Sequence, residues 1–174
     1  MSTPDLQSVT YRDTPFLFPA EAVGGTPAAS RLKPAAELLL DWAGTTDAPP
    51  LVAHDDYGVL TTCLSAGPQY FLSDHYAHHC RLAASLEANG RTDNQLTRFT
   101  PMDEAADLPS RALLHLPKNL DLFELYLWWL TRLPNGVDRV ATAFQTRHFS
   151  SRMLEIAARY AGEVSQSRAY KKAR

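Results

Sequence analysis

From residue 51 onward, short apolar segments alternate with segments of helical composition, and this alternation constrains the fold more than any other feature of the sequence. We predict strands in the segments LVAH (51–54), QYFLSD (69–74), LTRF (96–99), RALLHL (111–116) and DRVATAF (138–144). Helices are predicted in GVLTTCLSA (58–66), HYAHHCRLAASLEANG (75–90), NLDLFELYLWWLTRLP (119–134) and SSRMLEIAARYAG (150–162). Apolar strands that alternate with helices form a parallel sheet covered on both faces. The sequence therefore predicts an α/β fold with a Rossmann-like, doubly wound, mostly parallel sheet.

The two ends of the chain are less regular. Residues 1–49 are interrupted by proline and glycine, and we interpret them as a lead-in segment that packs on the core. Within it, Phe16, Leu17 and Phe18 suggest one short strand, and Pro34 suits the first position of a helix. The domain proper is expected at residues 50–174, with one more strand in the closing SRAYKKAR (167–174).

Composition excludes several classes of protein. A formal net charge of -2 argues against a generally basic nucleic-acid binder, so any RNA contact must come from a local patch. Two cysteines without a CxxC spacing form neither a disulfide framework nor a zinc site. The N-terminal residues lack a signal-peptide pattern, and no apolar stretch is long enough to span a bilayer. We expect a cytoplasmic protein without a membrane segment.

The turn after the first predicted sheet strand holds Asp55, Asp56, Tyr57 and Gly58, where cofactor-binding folds of this class are rich in glycine. Glycines there let the backbone approach a cofactor closely, whereas two carboxylates would put bulk and negative charge in that space. The carboxylates could bind a cation. The favoured interpretation is a solvated turn in which an aspartate caps the following helix.

A second acid, Asp74, follows the next predicted strand. An acid at this place commonly binds the ribose hydroxyls of an adenosine cofactor. It also makes a good N-cap for the helix that follows, and this alternative is slightly favoured.

A third strand end carries HLPKN (115–119). Methyltransferases that modify an exocyclic amino group carry an Asn-or-Asp, Pro, Pro, aromatic motif here, whose polar groups accept hydrogen bonds from the target amine while the ring stacks on the flipped base. Only Pro117 matches, because His115 or Leu116 stands near the polar position and Lys118 and Asn119 follow. Neither the acceptor arrangement nor the stacking ring is present.

These stretches together resemble one known family, the bacterial ribosomal RNA guanine-N(2) methyltransferases. The similarity runs from Pro50 to Arg174 and is carried by HDDYGVLTTCLSA, YFLSDHYAHH, LEANG, LLHLPKNLDLFE and YKKAR, of which LPKNLDLFE and YKKAR are the more specific. It is closest to the N-terminal domain of the large-subunit branch, methyltransferase G, which has a small-subunit sister family. The resemblance implies a class I methyltransferase-type sheet.

The resemblance also implies two methyltransferase-like domains in tandem. The C-terminal one, expected to follow the chain described here, binds S-adenosylmethionine and carries the Asn-Pro-Pro-aromatic motif. The N-terminal one keeps the fold without either motif and is implied to help recognise ribosomal RNA. On this basis Asp55, Asp56 and Gly58 form a vestigial cofactor turn and Asp74 is a vestigial ribose acid, so this chain is expected to contain no catalytic residue and to bind no cofactor.

A metal site is not expected. His75, His78 and His79 have helical spacing, with Cys80 next, and His75 and His79 share a face. No third ligand follows from the spacing, so partly exposed helix histidines are the favoured interpretation.

Two tryptophans stand next to each other at Trp128 and Trp129. Neighbouring side chains lie about 100° apart on a helix, so the two rings cannot both point into the core. We expect one of them at the surface, where it could meet a partner.

The basic residues are the candidate RNA ligands. Four positive charges fall within the last seven residues, and three more stand at strand ends and turns; the seven are Lys118, Arg147, Arg152, Arg168, Lys171, Lys172 and Arg174. Phosphate contacts by such a patch would be independent of RNA sequence and sensitive to salt. The equally weighted alternative is a solvated terminal strand whose lysines protect a sheet edge.

Three functional hypotheses follow. The favoured one is a non-catalytic domain of a ribosomal RNA methyltransferase that binds ribosomal RNA weakly and scaffolds the catalytic domain of the same polypeptide during ribosome biogenesis. The first alternative is a self-sufficient methyltransferase with an atypical S-adenosylmethionine turn that uses Asp74. The second is a module that only docks a partner domain.

Overall fold

A computed structural model describes residues 5–26, 28–44, 48–64, 69–92, 95–105, 107–132 and 136–169, together with Lys171 and Ala173. Within these residues the strands are β1 (Leu6–Tyr11), β2 (Thr14–Pro19), β3 (Gly24–Thr26), β4 (Ala29–Arg31), β5 (Leu51–Ala53), β6 (Gln69–Leu72), β7 (Leu96–Phe99), β8 (Arg111–His115) and β9 (Arg139–Ala143). The helices are α1 (Pro34–Ala43), α2 (Val59–Cys63), α3 (Tyr76–Ala88), α4 (Leu120–Arg132) and α5 (Ser151–Tyr160).

Five of the strands form the central sheet, in the spatial order β7-β6-β5-β8-β9, and every neighbouring pair is parallel. The register places Val52 opposite Phe71 on one side and Leu113 on the other. The predicted Rossmann-like parallel sheet with helices on both faces is confirmed. The strand order reverses at β5, so the ends of β5 and β8 diverge at the place where ligands bind in open sheets of this kind.

Side chains alternate between the two faces of the sheet, and each face has its own core. Val52 and Leu113 point to the face covered by α1 and α2, where they share a buried cluster with Leu39, Leu40 and Leu60. The neighbouring residues Leu51, Ala53, Ala112 and Leu114 point to the other face, against α4 and α5. Burial on both faces explains why the central strands read as continuous apolar runs.

The N-terminal segment is more ordered than its sequence suggested. Two antiparallel hairpins, β1-β2 and β3-β4, replace the single short strand expected at Phe16 to Phe18. Arg12 and Asp13 both have positive φ, 48° and 61°, which is the backbone of a two-residue hairpin turn. Val9 and Phe18 are buried in the same cluster as the sheet residue Val52. The domain boundary at residues 49 and 50 stays a prediction.

The strand expected over residues 167–174 is absent where the structure describes that segment. Ser167 to Ala169 have no regular structure, and a single antiparallel bridge joins Ala173 to Gln145. The sequence GEVSQSRA has almost no apolar side chain to bury, and its described residues are exposed. Tyr170, Lys172 and Arg174 lie outside the described residues.

Of the two adjacent tryptophans, one is buried and the other lies at the surface, as helix geometry requires. Trp129 is fully buried, and its indole N–H donates to the Asp103 carbonyl oxygen at 3.1 Å. Trp128 is 40% exposed, and the Arg132 guanidinium lies 4.0 Å from the centre of its ring. None of the helices in the described part of the chain has the length and apolar character needed to cross a bilayer.

Gly58 allows α2 and α3 to approach each other closely. A Cβ atom there would lie 2.6 Å from Leu82 Cδ1 and 2.9 Å from Leu82 Cα, and the residue has a φ of +70°. Gly90 has a similar φ of +63°, but a Cβ atom would meet nothing within 4 Å. Comparing Gly58 with Gly90 therefore separates the cost of a left-handed backbone from the cost of steric overlap between α2 and α3.

Substituting alanine at these two glycines should destabilise the protein unequally. Gly90→Ala should cost about 1–2 kcal/mol through its left-handed backbone alone. Gly58→Ala should add about 1–3 kcal/mol, because the new methyl group overpacks against the α3 backbone. Urea unfolding of both variants measures the difference. Equal losses of stability would show that the approach of α2 to α3 is not tight.

Candidate functional site

The carboxyl ends of β5, β6 and β8 lie side by side at one edge of the sheet because the strands are parallel. The turns that follow them contain the polar residues predicted as a vestigial cofactor site. We call this region the carboxyl edge. In doubly wound folds it is where a cofactor binds.

Asp55 points away from solvent. The residue is 4% exposed, and its Oδ2 accepts hydrogen bonds from the Thr61 backbone N–H at 3.0 Å and the Thr61 hydroxyl at 3.1 Å. Burial raises the pKa of this carboxyl to about 6, against the opposing effect of these hydrogen bonds. Asp55 thus accepts hydrogen bonds from the first turn of α2, in line with the predicted capping role. It does so from a buried position and not from the solvated turn that was expected.

Asp56 turns the other way, toward α3. Its carboxylate forms an ion pair with Arg81, and Oδ1 lies 3.3 Å from His78 Nε2. The Arg81 guanidinium also lies 4.9 Å from the centre of the Tyr57 ring. The two neighbouring carboxylates are therefore bound to different partners, so the structure does not support a shared cation site.

Asp74 is hydrogen-bonded to Tyr126 of α4, a helix on the sheet face opposite to α1 and α2. The Tyr126 hydroxyl donates to Asp74 Oδ1 at 2.5 Å, and it accepts a hydrogen bond from the Asp74 backbone N–H at 3.0 Å. His54 Nδ1 lies 3.4 Å from the same hydroxyl and 3.8 Å from Asp74 Oδ1. The Tyr126 side chain thus joins α4 to the ends of both β5 and β6.

His54 occupies the position where a cofactor turn would begin. Its φ is +56°, and its ring packs edge-on against His78 at 4.9 Å and beside Tyr126 at 5.4 Å. Burial, assisted by the charge of His78, lowers the pKa of His54 to about 4. A neutral imidazole therefore fills part of the carboxyl edge.

The prediction that Asp74 caps α3 is wrong. His75 is the N-cap, and the hydroxyl of Ser73 accepts a hydrogen bond from its backbone N–H at 3.1 Å. The same hydroxyl lies 2.9 Å from His78 Nδ1. The Asp74 carboxylate is instead bound to the Tyr126 hydroxyl, and the N-cap of α3 makes no side-chain capping hydrogen bond.

The HLPKN segment carries no acceptor arrangement for a target amine. His115 closes β8, and burial lowers the pKa of its imidazole. Pro117 is buried and Lys118 is exposed. The segment places one cation at the carboxyl edge.

The helix histidines do not converge on a metal. His78 lies against Ser73 and Asp56, whereas His79 Nε2 lies 3.1 Å from the Ser73 carbonyl oxygen. His75 lies 3.8 Å from Asp74 Oδ2 and Cys80 is exposed. Within the described part of the chain, no group of three or more His, Cys, Asp or Glu side chains is arranged to hold a metal ion.

Two cavities lie at the opposite edge of the sheet. One, of about 170 Å³, is lined by residues at the C-terminal ends of α1 and α2, including Gly44 and Leu64. The other, of about 330 Å³, is lined by Pro109, Ser110 and Arg111, where β8 begins. The first is smaller than a typical cofactor pocket, and neither lies where a Rossmann-like sheet binds its ligand.

The candidate RNA ligands fall into two groups. Lys118, Arg147 and Arg152 are exposed at the carboxyl ends of β8 and β9. Lys171 forms an ion pair with Glu37 of α1 at 3.1 Å. Arg168 is exposed in the irregular terminal segment, whereas Lys172 and Arg174 lie outside the described residues.

Tyr126 and Arg81 are central to the carboxyl edge, yet no sequence pattern assigned them a role. Tyr126 is 52 residues from Asp74 along the chain, and in an amphipathic helix such a tyrosine reads as core. From the sequence alone, Arg81 would be interpreted as an exposed cation on a helix. The only usable signal was that a buried tyrosine hydroxyl needs a hydrogen-bond partner.

Tyr126→Phe should lower the free energy of unfolding by about 1–2 kcal/mol, because it leaves Asp74 and its backbone N–H without their partner. Tyr160→Phe is the matched control: it removes a hydroxyl that donates to Glu124 at 2.8 Å at the contact between α4 and α5, and should cost about 0.5 kcal/mol or less. Thermal and urea unfolding compare the two. Equal effects would remove Tyr126 from its role at the strand ends.

His54 should make the protein less stable in acid. The folded-state pKa of about 4 lies below the ordinary value of 6.5, so between these values the unfolded chain binds a proton that the folded chain does not. The free energy of unfolding therefore falls as the pH drops through this window. Asp55, whose pKa is raised from 3.8 to about 6, acts in the opposite direction, and it remains in place when His54 alone is substituted.

His54→Asn should reduce this acid sensitivity, because asparagine tolerates the positive φ and does not titrate. Urea unfolding at several values between pH 7 and pH 4.5 should show a shallower loss of stability in the variant than in the parent. Parallel curves would mean that His54 is protonated as easily in the folded protein as in the unfolded one.

Comparison with known proteins agrees with the family resemblance seen in the sequence. A profile described as the RLMG N-terminal domain matches residues 32–174. The chain is 28% identical over 126 residues to a protein of Pectobacterium atrosepticum named Ribosomal RNA large subunit methyltransferase G. That match covers 72% of this chain and 33% of the relative, so the chain spans about a third of the relative's length. Since the profile covers most of the sequence, the chain belongs to the RLMG N-terminal domain family.

Proposed function

We propose that this chain is the non-catalytic N-terminal domain of an S-adenosylmethionine-dependent ribosomal RNA guanine-N(2) methyltransferase. It helps to recognise ribosomal RNA and supports a catalytic domain in the same polypeptide. Two thirds of the relative named as a large-subunit methyltransferase lie outside the match, which leaves room for such a domain. A protein of this kind acts in ribosome biogenesis in the cytoplasm.

The observation that carries the proposal is the filling of the carboxyl edge by the chain's own side chains. His54 and Tyr126 lie at the ends of β5 and β6, the region that binds cofactors in doubly wound folds, and Asp74 is bound to the Tyr126 hydroxyl. Asp55 is turned into the core, and Gly58 is used for the approach of α3. The S-adenosylmethionine of the whole protein would therefore be held by the other domain. The self-sufficient enzyme is disfavoured, because its proposed ribose ligand already has a partner.

The RNA-binding part of the proposal rests on the exposed cations at the carboxyl ends of β8 and β9. Lys118 and Arg147 are exposed, and Arg152 lies 4.0 Å from Asp121, at a place where both side chains are mostly exposed. Such a pair is weak and is easily exchanged for a phosphate contact.

Domain docking is the second candidate, favoured by the outer face of α4. Leu125 is 38% exposed and Trp128 is 40% exposed, one helical turn apart. Large apolar side chains on one helix face suit a partner domain. The two candidates use different surfaces, so they can be separated by substitution.

The double variant Arg147→Ala/Arg152→Ala should bind RNA less tightly across all sequences. Removal of each phosphate-binding cation should reduce the slope of log affinity against log salt by about 0.7–0.9. Filter binding to ribosomal RNA fragments across a salt series measures both effects.

Arg12→Asn is the control, since it removes a cation from the β1–β2 turn and keeps a residue that tolerates the positive φ. It should leave the slope unchanged. If the double variant remains folded and shows the same affinity and salt slope as this control, Arg147 and Arg152 do not contact RNA. Domain docking then becomes the better account.

A further inference from the structure

The turn between β9 and α5 displays aromatic rings that the core does not use. Phe149 is 43% exposed, and its ring stacks on that of Phe144 with 5.8 Å between the centroids and 24° between the planes. Neither ring belongs to any of the three buried clusters of the described residues. The ring is therefore available at the surface for a contact beyond the chain.

The turn is stabilised by backbone hydrogen bonds. A single turn of 3-10 helix spans Thr146–His148, with the Phe149 backbone N–H donating to the Thr146 carbonyl oxygen at 3.2 Å. Ala173 pairs with Gln145 just before it. The buried side of the Phe149 ring rests on Phe144, which leaves the other side free of the core. A fixed ring binds a flat partner with little loss of conformational entropy.

The sequence around the ring carries more positive than negative charge, although Asp121 lies 4.0 Å from Arg152. From Arg139 to Leu154 the sequence contains no acidic residue. Arg147 lies two residues before Phe149 and donates through Nε to His148 Nε2 at 3.1 Å, while Arg152 lies three residues after it. Lys118 extends the positive surface to the end of β8, which pairs with β9.

An exposed ring flanked by arginines fits one partner chemistry best. Single-stranded nucleic acids are bound by aromatic rings on which bases stack, within a positively charged surface that follows the phosphates. A protein partner would favour the more apolar face of α4, where Leu125 and Trp128 are exposed and the Arg132 guanidinium lies over the Trp128 ring. Paired bases are not free to stack on a side chain, so a duplex would not use the ring.

We propose that Phe149 is the stacking platform for an unpaired base of RNA, with Arg147 and Arg152 contacting the phosphates on either side. The inference rests on the proposed RNA-recognition function and adds to it the class of RNA, namely a single-stranded segment. It also separates two kinds of contact. The ring supplies affinity that depends little on salt, whereas the arginines supply affinity that salt weakens.

Binding of the 174-residue chain to a single-stranded RNA oligonucleotide and to a duplex of the same length tests this. Phe149→Leu keeps an apolar contact with Phe144 but removes the flat ring, and should weaken single-strand binding about 5- to 100-fold with an unchanged salt slope. Duplex binding should not change. Phe149→Tyr should retain the parent affinity, which guards against a general loss of structure.

A direct readout uses single-stranded RNA that carries 5-iodouridine, which cross-links on irradiation to aromatic side chains stacked on it. Mass spectrometry should locate the cross-link at Phe149 in the parent and find none at this position in Phe149→Leu. If the parent binds single strands and Phe149→Leu binds them equally well, the stacking platform is ruled out while RNA recognition stands. If the parent binds neither RNA, both the platform and the RNA-recognition function fail, and a protein contact accounts for the exposed ring.

Discussion

The hydroxyl of Tyr126 is the interaction on which the carboxyl edge of this sheet depends. It donates to Asp74 Oδ1 at 2.5 Å, accepts from the Asp74 backbone N–H, and lies 3.4 Å from His54 Nδ1. The Tyr126 side chain, which comes from α4, thereby fixes the carboxyl ends of the neighbouring strands β5 and β6. A ligand that reached the Asp74 carboxylate would have to break its hydrogen bond to the Tyr126 hydroxyl, and hydrogen bonds to carboxylates are among the stronger ones in proteins.

The remaining features of this edge serve the fold in the same way. Asp55 is a buried acceptor for the first turn of α2. Gly58 has the positive φ of a cofactor glycine, but its missing side chain makes room for Leu82 instead of for a ligand. Asp56 holds Arg81 over the Tyr57 ring. The side chains that follow β5 and β6 are thus engaged in internal contacts of the fold.

The sequence predicted the elements that are defined by local pattern. The alternation of apolar strands and helices from residue 51 onward corresponds closely to β5 through α5, because buried parallel strands have no polar face to confuse the pattern. Prediction from the sequence failed where the structure depends on contacts between residues that are distant in the chain. The β1-β2 hairpin is defined by the turn at Arg12 and Asp13, which carries no glycine. The role of Asp74 depends on Tyr126, and no local rule links residues that are 52 positions apart. A terminal strand was expected over residues 167–174, but Ser167 to Ala169 are exposed and have no regular structure.

The central claim is that the carboxyl edge is filled and does not take a cofactor. Calorimetric titration of the chain with S-adenosylmethionine tests it most directly. The account predicts no saturable heat at concentrations up to the millimolar range, in the parent and in Asp74→Ala alike. A micromolar dissociation constant in the parent that is abolished in Asp74→Ala would contradict it, because the acid would then be binding a ribose rather than the Tyr126 hydroxyl.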